Sequence, residues 1–110
     1  MPRVEGFGLA TPTLEARLGT AELLVNTTSV GMRPGERLLR PEQVPSHGLV
    51  VDIIYNPPQT PLLADAAARA ARTLNGLPML VYQAALAFTL WTSREAPVAT
   101  MSRAAEAALQ

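Results

Sequence analysis

Asn75 to Ser93 reads NGLPMLVYQAALAFTLWTS, and no side chain in it is charged. The uncharged run begins at Thr73 and lasts until Arg94. Asn75-Gly76 suits the end of one helix, and Pro78 suits the first turn of the next. From Met79 to Trp91 nearly every residue is apolar. A helix with no polar face is either buried in protein or spans a membrane. Length separates the two, because Leu77 to Trp91 extends only about 22 Å as a helix and a bilayer core is about 30 Å thick. The stretch therefore predicts a central buried helix, with no membrane partner.

Gln83 is the exception within it. Met79 and Leu80 lie one turn before it, and Leu86 and Ala87 one turn after. A primary amide brings two donors and an acceptor, and an unpaired one in a dry core costs roughly 1–3 kcal/mol. Two explanations stand at this point. Gln83 is a structural amide satisfying a nearby backbone group, or it faces a cleft and binds a polar ligand.

Working back from that helix, Thr60-Pro61 supplies an N-cap and a first-turn proline for another helix. Its apolar face is Leu62, Leu63, Ala66, Ala67, Ala70 and Leu74, with Asp65 and Arg69 as an i,i+4 ion pair. Leu49 to Tyr55 (LVVDIIY) is the clearest strand, apolar on both faces as a buried parallel strand is. Ala21 to Val25 is a shorter strand running into Asn26-Thr27-Thr28-Ser29, and Val4 to Leu9 is a weaker candidate interrupted by glycines. Thr11-Pro12 opens a short helix through Leu18, and one helical turn is expected near Pro41. Pro97 to Leu109 closes the chain as an amphipathic helix, with Val98, Met101, Ala105, Ala108 and Leu109 inward.

Strand, connection, strand and helix in alternation point to an α/β layer with parallel strands. Two firm strands and one doubtful one are too few for a stable doubly wound sheet. The expectation is part of a larger domain. Composition agrees. The 110 residues are 48% hydrophobic and only 16% charged, against a usual charged share of about 25%, which leaves apolar surface to be covered by more protein. Net charge is zero, so no electrostatic footprint for nucleic acid is present. Cysteine is absent, which excludes disulfides and thiolate metal sites. No apolar signal core follows Met1, and a cytoplasmic protein is expected.

In open parallel sheets ligands bind beyond the carboxyl ends of the strands. Two strands here end in polar residues: the Asn26 to Ser29 run, and Tyr55. Strand alternation puts Ile53 and Tyr55 on one side and Asp52 on the other, so Asp52 reads as a structural carboxylate rather than a proton donor. No G-x-G-x-x-G phosphate loop occurs. From the residues alone the chain offers half of a binding cleft and no complete catalytic set.

Three blocks in series add to this: VNTTSVGM (Val25 to Met32), VVDIIYNPPQTPLL (Val50 to Leu63) and NGLPMLVYQAALAFTLWT (Asn75 to Thr92). Together they resemble the C-terminal half of shikimate dehydrogenase, from about Ala21 onward. The resemblance implies a partial Rossmann-like, doubly wound parallel sheet, with residues 1–110 forming the C-terminal part of an NADP-binding domain and closing helices over 77–93 and 97–109. It implies NADPH-dependent, reversible reduction of 3-dehydroshikimate to shikimate, for chorismate and aromatic amino acid biosynthesis. A quinate/shikimate relative using NAD, or a non-catalytic remnant, is the alternative. By the same resemblance Thr28, Ile53, Gly76, Met79 and Leu80 lie along the nicotinamide end of the cofactor. Tyr55 and Gln83 hydrogen-bond the substrate, so that the two should share one hollow. The family's Lys and Asp pair, its Gly-rich turn and its 2′-phosphate reader have no counterpart here, and a separate N-terminal domain is expected to carry what is missing for the substrate. Ala70 and Ser93 stand where that family commonly has glycine.

Overall fold

A computed structural model of the chain describes residues 3–109. Its centre is a parallel three-stranded sheet in the order β1-β2-β3, formed by β1 (Leu23–Asn26), β2 (Leu49–Asp52) and β3 (Arg72–Leu74). Leu24, Val50 and Thr73 stand in one row, and Val25, Val51 and Leu74 in the next. Residues of successive rows point to opposite faces. The row with Val50 faces the core, where Val50, Val44, Leu63 and Ala66 are buried together with Leu24, Leu39, Leu62 and Ala71 packed against them. Helix α1 (Pro12–Thr20) packs against a 3₁₀ turn (Pro41–Gln43), and that turn and helix α2 (Pro61–Ala68) supply the cover. On the other face Leu23, Val25 and Leu74 are exposed. Half of a doubly wound arrangement is thus present.

Helices α3 (Leu77–Thr92) and α4 (Val98–Ala108) pack against each other. The radius of gyration is 16.3 Å, whereas a compact domain of this length has about 13 Å. Surface that a closed domain would bury therefore stays open.

Several sequence expectations are met. Thr60 caps α2 with its hydroxyl, which accepts from the Leu63 N–H, and Pro61 follows in the first turn. Thr11 and Pro12 open α1, which continues to Thr20. The turn near Pro41 forms.

Others are corrected. The helix expected to reach Leu74 stops at Ala68, because Arg69 leaves helical geometry and Ala70 takes φ +66°. Residues 72–74 then pair with β2 as a strand, and Asn75-Gly76 becomes the turn from β3 into α3 rather than the end of a helix. With Arg69 beyond the helix, its expected pairing with Asp65 gives way to a two-pronged contact from Arg37, at 2.9 and 3.2 Å. Residues 4–9 form no strand. β2 ends at Asp52, although the Ile53 N–H still donates to the Asn26 carbonyl at 3.2 Å. In α4 Val98, Met101, Ala105 and Leu109 are half-buried, while Ala108 is exposed.

The largest correction concerns α3. Only Val81 and Ala85 are buried in it. Met79, Tyr82, Leu86, Leu90 and Trp91 are exposed, Leu90 to 81% and Trp91 to 84%. One neighbouring helix covers one stripe of α3 and leaves the remainder in water. The composition of the helix was right for burial, but the 110 residues do not bury it.

Candidate functional site

The carboxyl ends of β1 and β2 open into a hollow of about 450 Å³ lined by Thr27, Thr28, Ser29, Met32, Ile53 and Tyr55 among others. Small-molecule sites span roughly 300–1,000 Å³. The chain reaches this place because parallel strands end together, and the segments after them must turn across the sheet's end.

A buried polar network holds those segments. Asp52 is fully buried. Its Oδ1 accepts from Asn26 Nδ2 at 3.2 Å and from the Ile54 N–H at 3.1 Å, and its Oδ2 accepts from Thr60 Oγ1 at 2.7 Å. It is the structural carboxylate expected from strand alternation. Asn26, also buried, uses its whole amide. Nδ2 donates to Asp52 and to the Val30 carbonyl at 3.0 Å, while Oδ1 accepts the Thr28 N–H at 3.0 Å and the Thr28 hydroxyl at 2.7 Å. Thr28 Oγ1 in turn accepts the Val30 N–H at 3.1 Å. Among the described residues, no buried side-chain polar atom lacks a partner.

Sequence reasoning placed Asn26 in a polar run without seeing it as the hub. The signal was available, since an Asn two residues before a Thr is the pattern in which the side chain bonds backbone two residues on.

Gly76 fastens the far side. Its N–H donates to the Ile54 carbonyl at 3.0 Å. A Cβ added at Gly76 would stand 1.7 Å from the Ile53 carbonyl oxygen, so no side chain fits. The glycine lets the start of α3 touch the end of β2. Asn75 Oδ1 accepts the Leu77 N–H at 3.0 Å, a side-chain turn that leads into α3.

Of the expected site residues, Thr28, Ile53 and Tyr55 come together in the one hollow. Gly76 lies against Ile53. Met79 and Leu80 follow in the first turn of α3, Met79 exposed. Gln83 is different. Its helix was expected to be buried, yet Gln83 is exposed, and its Nε2 donates to the Leu80 carbonyl of its own helix at 2.9 Å. It does not line the hollow that Tyr55 lines. After Gly76 the helix α3 leaves the sheet, and α4 is its main neighbour among the described residues.

Chemically the hollow offers hydroxyls, backbone and apolar side chains, and its lining carries no Asp, Glu, Lys, Arg or His. It suits a neutral, polar-edged group. No cluster of His, Asp or Glu that could hold a metal ion occurs among the described residues, and none of their helices is long and apolar enough to cross a membrane.

Residues 76–106 match the model of the shikimate 5′-dehydrogenase C-terminal domain. The NADP(+) shikimate dehydrogenase of Moorella thermoacetica is 44% identical over 105 residues, which is 94% of this chain and 36% of that protein. This chain matches the C-terminal part of shikimate dehydrogenases. That of Methanopyrus kandleri is also 44% identical, over 93% of this chain and 36% of its own length. The crystal structure of the Thermus thermophilus shikimate 5-dehydrogenase in complex with NADP(H) and shikimate superimposes with a TM-score of 0.80 at 42% identity. That superposition covers 87% of this chain and 37% of the other. The chain thus spans a little over a third of the length of these shikimate dehydrogenases.

Proposed function

We propose that this chain supplies the nicotinamide-facing and substrate-facing wall of an NADP-dependent shikimate dehydrogenase, which interconverts 3-dehydroshikimate and shikimate. In this reading residues 1–110 are the C-terminal part of the NADP-binding domain, with α3 and α4 as its closing helices. The observation that carries it is the uncharged hollow at the ends of β1 and β2, with Thr28, Ile53 and Tyr55 on its walls and Gly76 held against Ile53.

These features fit one end of the cofactor. Thr28, Ile53 and Gly76, with Met79 and Leu80 beyond, would lie along the nicotinamide, and the absence of charge in the lining suits the neutral dihydronicotinamide ring of NADPH. NADPH, when bound, supplies the hydride. Tyr55 would meet the substrate with its hydroxyl. Gln83 would do so from α3 once that helix is covered, since Met79, Gln83, Leu86 and Leu90 share its outer face and the three apolar ones are exposed. An N-terminal domain of the same enzyme is the partner that such a face requires.

Division of labour follows from what the chain lacks. Hydride transfer needs reactants held in near-attack geometry and a general acid within hydrogen-bond reach of the forming alkoxide. The sequence has no G-x-G-x-x-G loop to anchor the phosphates, and no Lys, Asp, Glu or His lines the hollow to donate a proton. The isolated 110 residues are therefore expected to show no NADPH-dependent reduction of 3-dehydroshikimate. Joined to the N-terminal part of the Thermus thermophilus enzyme, the chain is expected to turn over, and a well-folded fusion without turnover would overturn the reading. In that fusion Gln83→Ala should raise KM for shikimate more than KM for NADP. An unchanged shikimate KM would remove Gln83 from the substrate site.

A further inference from the structure

The hydrogen-bond directions around Asn26 constrain what Thr28 can offer. The Val30 carbonyl can only accept, and the Thr28 backbone N–H can only donate. Asn26 contacts the first through Nδ2 and the second through Oδ1, so its amide has a single orientation that satisfies both. Asp52 Oδ1 reinforces that orientation by taking the second Nδ2 proton. With Oδ1 thus turned toward Thr28, the short 2.7 Å contact from Thr28 Oγ1 must be the hydroxyl donating its one proton inward. One lone pair of that hydroxyl takes the Val30 N–H. A hydroxyl has one donor and two acceptor positions. What remains at Thr28 is one acceptor.

We propose that Asn26 is a positioning residue for the hollow: it consumes the Thr28 proton, so that Thr28 presents an acceptor and no donor, and the ligand edge that meets it must carry an N–H or O–H. A primary carboxamide NH₂ has this chemistry; a ketone, ester or carboxylate edge does not. Asp52 and Thr60 act one step further back, holding Asn26. Assignment of the carboxamide to the cofactor rests on the dehydrogenase reading above, whereas the orientation of Asn26 and Thr28 does not.

The experiment has two arms. The first uses the 110-residue chain without ligand and follows amide hydrogen exchange by NMR. Thr28→Val removes the hydroxyl and should speed exchange at the Val30 amide by about fivefold or more, as loss of one hydrogen bond implies. Thr28→Ser should restore protection, and amides of Leu63 to Ala66 should not move in either variant. In the unaltered chain both Asn26 Nδ2 protons should exchange slowly, a measurement that holds even if a variant folds badly. Fast exchange at Asn26 Nδ2, or no change at Val30 in Thr28→Val, overturns the positioning role. The second arm uses the fusion with the N-terminal part and compares Kd for NADP+ with Kd for its 3-acetylpyridine analogue, whose methyl ketone lacks the N–H. NADP+ should bind about fivefold more tightly, and Thr28→Val should erase the preference. A preference that survives Thr28→Val overturns the acceptor assignment. Failure of the fusion to bind either dinucleotide overturns the cofactor reading, with the first arm still deciding Asn26.

Discussion

Two regions of this chain invert the usual expectation about polarity. At the tips of β1 and β2 the most buried groups are polar: Asp52 and Thr60 are fully buried and Asn26 nearly so. In α3, by contrast, Leu86, Leu90 and Trp91 stand in water. Each buried polar group has its partners within the chain, through contacts of 2.7–3.2 Å, and a satisfied polar network tolerates burial. An apolar helix needs area rather than specific partners, and among the described residues its main neighbour is α4. Hydrophobicity says that a face will be covered. It does not say by which piece of protein.

The comparison is sharpest where truncating a leucine should cost most. Leu63→Ala, in the core cluster, should lower the stability of the chain by about 2–5 kcal/mol, while Leu90→Ala on α3 should stay within about 0.5 kcal/mol. Urea midpoints of the two variants check this, and equal losses would break the contrast. Within the fusion described above the gap should narrow, because covering α3 gives Leu90 something to lose.

Thr60→Ala comes next. It removes the N-cap of α2 and the Thr60 hydrogen bond to Asp52 together, for an expected loss of about 1–3 kcal/mol. Thr60→Ser should recover most of it in the same urea titration; a Ser variant as weak as the Ala one would mean that the methyl, not the hydroxyl, matters.

A smaller effect of opposite sign is expected at Ala70, the residue that ends the continuation of α2 at φ +66°. Side chains disfavour that region by about 1–2 kcal/mol, and glycine's freer unfolded chain returns part of this. Ala70→Gly should raise stability by about 0.5–1 kcal/mol, seen as a higher Tm. Ser93, at φ +56° after α3, should respond the same way but less, lying in the region that packs least.

The smallest effect lies at the surface. Glu42 is held below the usual carboxylate range, chiefly by a hydrogen bond from its own backbone N–H and then by Arg40, whose Nε donates to it at 2.9 Å. A depressed folded value means that its contribution is present above the unfolded value and fades as pH falls through the folded one. Glu42→Gln should therefore make the acid loss of stability slightly shallower, and raising the salt concentration should shrink the difference between the two chains. A steeper acid limb in the variant would contradict this sign.

Much of this was readable in the order of residues. Thr11-Pro12 and Thr60-Pro61 marked helix starts because a proline dispenses with an orphan N–H there and a hydroxyl can satisfy one, as Thr60 does, whereas the Thr11 hydroxyl donates to the Gly8 carbonyl instead. Alternation within LVVDIIY separated Asp52 from Ile53 and Tyr55, and the hollow keeps the latter two together. The short strand β3 was not readable. Arg72-Thr73-Leu74 continues the spacing of a helix, and only the left-handed turn at Ala70 and the free edge of β2 make it a strand.

What the sequence by itself determined was therefore local: where helices begin, which side of β2 each residue takes, and the likeness to shikimate dehydrogenases. Local rules act through neighbouring residues, and those are all present in the chain. Tertiary structure alone decided that Asn26 is the hub between Asp52 and Thr28, that Gly76 must be bare against the Ile53 carbonyl, and that Gln83 stands in solvent. Those facts depend on which surfaces meet, across a sequence separation of 26 residues in the case of Asn26 and Asp52, and on how much protein is there to meet them.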